Sequence, residues 1–152
     1  MKFTPLPSLA STFPFRVLIR RQLCERPEGE GYVRSPVHRV RKGLGFEAGD
    51  YLRGDGRGGR SALETPFFGD ENFVGRHSIP GTISMCNSGV DSNSSVFFVS
   101  VAPQPHLDGR NVVFGHVVEG LPVVEEITSV FSVNYRPVIP VKVARCGELT
   151  ER

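Results

Sequence analysis

Few side chains in this sequence have the types and spacing that chemistry requires. The run Gly54-Asp-Gly-Arg-Gly-Gly-Arg60-Ser61 has the glycine spacing of a phosphate-cradling loop, but Arg60 stands where a lysine is required. Ala62 to Pro66 is also too short for the helix whose N-terminus would hold the phosphate. His38, His77, His106 and His116 lack close metal-ligand spacing and read as core or surface histidines, so neither a metal nor another cofactor is implied. Cys24, Cys86 and Cys146 form no Cys-x-x-Cys pair and leave one over if any two join, which fits a reducing compartment. Cys86 has no activating base beside it and reads as a buried thiol. Arg39-Val-Arg-Lys42 is a compact basic cluster without interleaved aromatics, so a solvated edge is expected there rather than a nucleic-acid surface.

The elements that must position these residues are mostly strands. At 152 residues and 39% apolar content the chain has room for one domain with its own core. Its 18 basic and 16 acidic side chains nearly balance, so bulk charge selects neither nucleic acid nor a charged membrane. No apolar run approaches the roughly 20 residues that span a bilayer, and a soluble protein is expected. Seventeen glycines and 12 prolines interrupt most helical windows. Val96 to Val101 and Asn111 to Val118 are dense in Val and Phe and predict strands of a curved sheet, and Val138 to Ala144 predicts another, with Ile139, Val141 and Val143 alternating against Lys142. Leu121 to Phe131 predicts a helix: Pro122 suits its first turn, Val123, Val124, Ile127, Val130 and Phe131 follow helical spacing, and Glu125 and Glu126 face solvent. A first helix is predicted from Pro14 to Cys24, capped by Thr12, with Phe15, Ile19 and Leu23 on one buried face. The first 24 residues, carrying Lys2, Arg16, Arg20 and Arg21 without an acid, also have the composition of a mitochondrial transit peptide. The helical reading is preferred.

Gly81 to Phe98 followed by Leu107-Asp-Gly-Arg-Asn-Val-Val-Phe-Gly115 resembles the second half of a cyclophilin, a peptidyl-prolyl cis-trans isomerase. Gly31-Tyr32, Val37-His-Arg-Val40, Gly49-Asp-Tyr51, the glycine loop Gly54 to Ser61, Phe68-Gly-Asp-Glu-Asn-Phe73 and Cys146-Gly-Glu-Leu149 extend the resemblance over residues 13–149. It implies a closed antiparallel β-barrel capped by two helices, flanked by an irregular segment 1–12 and a tail 150–152. Only 12 residues precede the first helix, two of them proline, so the first strands of that barrel are expected to be missing or irregular. A barrel lacking a strand exposes unpaired backbone groups that a neighbouring chain could fill, so a place in a larger complex is expected.

The resemblance implies no covalent chemistry. Arg39 matches the arginine whose guanidinium approaches the prolyl nitrogen, a fixed charged donor suited to electrostatic stabilisation. Phe98 and Leu107 match the floor and wall of the proline pocket, Asn87 the residue whose backbone aligns the substrate, and Cys86 a small alanine beside it. Six positions depart from the family: Leu44 for Phe, Gly45 for Met, Glu47 for Gln, Val96 for Gln, His106 for Trp and Asn111 for His. Gly45 and Leu44 reduce apolar contact with the ring, and Glu47 is placed to form a bidentate pair with Arg39. The resemblance thus implies a weakly active isomerase of X-Pro bonds in protein segments, with weak cyclosporin binding because His106 replaces Trp. The alternative is a catalytically degenerate scaffold in a ribonucleoprotein or ciliary assembly, a class that Asn134-Tyr-Arg-Pro137 also resembles. A cytoplasmic or cytoskeletal, ciliary location is expected, with mitochondria as the alternative.

Overall fold

The computed structural model describes residues 2–5, as backbone, and residues 21–148. Thr12, Pro14, Phe15 and Ile19 of the predicted first helix, and Leu149, lie outside the described residues. What is described is mainly β. Strands β1 (Lys2–Pro5), β2 (Val37–Arg41), β3 (Gly45–Ala48), β4 (Thr82–Met85), β5 (Phe97–Ser100) and β6 (Val113–Glu119) form one antiparallel sheet in the order β1-β6-β4-β5-β3-β2. Residues 21–25 are helical and are called α1. Helix α2 is Leu121–Ser129, and a hairpin of β7 (Ser132–Val133) and β8 (Arg136–Pro137) follows it. Within the segment expected to be irregular, β1 pairs with β6 and shifts register between Lys2 and Phe3.

The alternation of the strands buries Val40, Phe46, Ala48, Ile83, Met85 and Val99 in one core, which α2 closes with Val124, at 0% exposure. The predicted helix ends early. Val130 leaves helical geometry (φ −61°, ψ 146°) to enter the hairpin, which puts Phe131 in solvent at 76% exposure. Glu125 and Glu126 are exposed, as the spacing predicts.

A second cluster joins α1 to the sheet. Leu23 and Tyr32 are its buried members, and the Tyr32 hydroxyl donates to the Ser95 carbonyl at 2.9 Å while its ring meets Phe97 edge-on. The amide of Tyr32 reaches the Leu23 carbonyl at 2.9 Å. That approach requires Gly31, where a Cβ would sit 2.2 Å from the same oxygen. The Cys146 thiol donates to the Cys24 carbonyl at 3.4 Å, so α1 meets the segment that follows Val143.

The strand predicted over Val138 to Ala144 is shorter than expected. Its ladder is confined to Val141–Val143, which exchange backbone hydrogen bonds with Arg34, Ser35 and Val37. Pro140 has no amide to donate, and Ile139 upstream of it is 77% exposed.

Candidate functional site

Cross-strand register builds the site. Arg39 on β2 pairs with Glu47 on β3, Glu47 pairs with Phe98 on β5, and Phe98 pairs with Ser84 on β4. Directly opposed residues of an antiparallel sheet share a face, so a cation, a carboxylate and an aromatic ring lie in one row across the strands.

Glu47 is the hub of that row. Its Oε1 lies 3.6 Å from Arg39 Nη1 and 3.9 Å from Arg41 Nη2, and its Oε2 lies 3.7 Å from His38 Nε2. The expected pairing with Arg39 is therefore present as a single contact, not a bidentate fork, because one carboxylate is divided among Arg39, Arg41 and the His38 ring. A register shift between Val37 and Arg39 brings the adjacent His38 and Arg39 both to Glu47. Burial pushes the Glu47 carboxyl up, but His38, Arg39 and Arg41 outweigh it and hold the group below its ordinary range. It is ionised at neutral pH.

Gly45 does not leave the expected hole. A Cβ there would lie 2.5 Å from Phe98 Cζ and 2.2 Å from the Val99 carbonyl oxygen, at a φ of +156°. The Phe98 ring lies over the glycine and is itself buried at 8% exposure. Gly45→Ala is therefore expected to lower stability by about 1–3 kcal/mol through overpacking. A chemical-denaturation midpoint unchanged from wild type would contradict this packing.

A series of hydrogen bonds connects the remaining predicted residues. Leu44, 41% exposed at the β2–β3 turn, accepts from the buried Gln104 side chain at 3.4 Å. Gln104 carbonyl accepts from the Leu107 amide at 3.0 Å, and the Leu107 carbonyl accepts from Asn111 at 3.0 Å. Asn111 Nδ2 then reaches the Met85 carbonyl at 2.8 Å, while Asn87 Nδ2 donates to the Arg110 carbonyl at 2.9 Å. Cys86 donates its amide to Val96 at 3.0 Å. Val96 is buried, Leu107 half-buried and His106 exposed on the short 3-10 turn Pro105–Leu107.

That turn is clamped by a pair that sequence reasoning treated as unremarkable. His77, fully buried, shares hydrogen between Nδ1 and Asp108 Oδ1 at 2.9 Å and donates its amide to the same oxygen at 2.8 Å. Its carbonyl accepts from the Gln104 amide at 2.8 Å. Both ends of the turn carrying His106 and Leu107 are thus fixed to one residue. The His77 hydrogen bonds draw the Asp108 carboxyl below its usual range.

Residues 11–148 match the model of the cyclophilin type peptidyl-prolyl cis-trans isomerase/CLD family. The chain belongs to the cyclophilin family. It is 41% identical over 139 residues to a peptidyl-prolyl cis-trans isomerase D of Mycosarcoma maydis, an alignment covering 90% of this chain and 35% of that protein. The chain thus spans about a third of the length of this curated relative. Among the described residues no helix is long and apolar enough to cross a membrane.

Proposed function

We propose that this cyclophilin domain isomerises X-Pro bonds in protein segments, slowly, with Arg39 as the catalytic residue. Amide resonance sets a barrier of roughly 18–20 kcal/mol, and a cation near the prolyl nitrogen lowers it by favouring the pyramidal, non-resonant form. Phe98 supplies the floor for the ring, Leu107 its wall, and the Asn87 backbone holds the chain. The observation that carries this reading is the single row of Arg39, Glu47 and Phe98 across β2, β3 and β5.

Glu47 is the reason for slow turnover. Its charge stabilises the guanidinium where it rests and must be partly overcome when Arg39 engages substrate. Glu47→Gln is expected to raise kcat/KM for an X-Pro peptide by about three- to tenfold, corresponding to roughly 1 kcal/mol of the barrier. Equal or lower activity in that variant would show that the carboxylate does not restrain Arg39.

A scaffold role in a larger complex is the second reading. It is favoured by the occupied Arg39 and by apolar side chains left in solvent, Phe131 at 76% and Ile139 at 77% exposure. Wild-type protein that binds a proline peptide without turning it over would select this reading.

A further inference from the structure

The hairpin between β7 and β8 closes through two residues, Asn134 and Tyr135, because Ser132 pairs with Pro137 and Val133 with Arg136. Both loop residues are left-handed, at φ +50° and +64°. Such two-residue turns favour Asn at the first position and Gly at the second. A tyrosine in that second place forces its Cβ against the backbone, a conformation rarely adopted by bulky residues.

The ring gains little burial in return, since Tyr135 is 57% exposed. Its contacts are instead with cations. The Arg39 guanidinium carbon lies 5.5 Å from the ring centroid and that of Arg41 lies 6.0 Å from it. The Tyr135 carbonyl also accepts the amide of Val40, between those arginines, at 2.6 Å. The hairpin tip is thus bound to β2 at the site itself. Arg39 and Arg41, two apart on a strand, share a face, and each contacts both the Glu47 carboxylate and this ring. An exposed cation–π contact is about as large as the cost of a left-handed tyrosine, so the arrangement yields no clear gain in stability.

We propose that Tyr135 is a positioning residue for Arg39: its ring supports the guanidinium that Glu47 also contacts and keeps it in the groove. The role rests on the isomerase reading above. Strain at an exposed residue is then explained by function, because the left-handed backbone is what lets the ring lie against Arg39.

The test compares wild type, Tyr135→Gly and Tyr135→Phe on an X-Pro peptide, with Tm measured in parallel. Tyr135→Gly removes the strain and the ring together. It should leave Tm unchanged or raised while kcat/KM falls about three- to tenfold, mainly in kcat. Tyr135→Phe keeps the aromatic face and should retain wild-type kcat. Activity of Tyr135→Gly within twofold of wild type, when Arg39→Ala is inactive, would overturn the positioning role and leave the isomerase reading standing. A fall in activity that tracks a fall in Tm would reduce Tyr135 to a structural residue and overturn it as well. Absence of turnover in wild type would remove the isomerase reading and this role with it.

Discussion

Arg39→Ala is expected to lower kcat/KM for an X-Pro peptide by about 100- to 1000-fold, the usual loss when a preorganised charged donor is removed. Stability should hardly change. The side chain is 41% exposed and its contact with Glu47 is a 3.6 Å pair near solvent, the kind worth little to folding. Arg41 pairs with Gly45, two residues further along β2, and its Nη2 lies 3.9 Å from the same Glu47 oxygen. Arg39→Lys retains charge but loses the planar fork and the stacking surface that Tyr135 meets, so it should recover only part of the rate. If turnover in Arg39→Ala stays within tenfold of wild type, with Tm equal, some other group supplies the catalysis.

Side chains that read correctly from sequence are those whose role follows from local pattern. Val96 and Phe98 both belong to the run expected to form a strand; β5 begins at Phe97, and both side chains are buried. Glu47 was legible as a partner of Arg39 because the resemblance places both in one groove. What local pattern could not supply was the competition for that carboxylate, since the approach of His38 beside Arg39 depends on the register shift in β2. Gly45 shows the same limit. Its missing side chain reads as lost pocket wall, but a neighbouring strand's Phe98 ring fills the space. Tyr135 and the His77–Asp108 clamp were not legible as site components at all, because each joins segments far apart in the chain. The only signal for Tyr135 was an aromatic following Asn where a hairpin turn prefers glycine.

Asp50→Ala is expected to destabilise the domain by about 3–5 kcal/mol, because a buried charged acceptor is removed and its donors are left without it. Asp50, two residues beyond the end of β3, is fully buried. Its Oδ1 accepts the amide of Arg53 at 3.0 Å, and its Oδ2 accepts those of Asp55, Gly56 and Gly58 at 3.0, 2.8 and 3.0 Å. The loop that resembled a phosphate cradle therefore does point amides at an anion, and that anion is the chain's own carboxylate. Burial pushes the Asp50 carboxyl up, but the four amides outweigh it and bring it from 3.8 to about 2. A folded value below the unfolded one contributes stability that is fully present above about pH 4 and is lost as pH falls toward 2. The difference amounts to about 2 kcal/mol. Asp50→Asn keeps an acceptor but not the charge, so its deficit relative to wild type should be largest above pH 5 and should shrink by about that amount as pH falls toward 2. Denaturation midpoints of both proteins across this range provide the measurement. A deficit constant with pH would mean that the loop is held by acceptor geometry alone and that the charge on Asp50 contributes nothing.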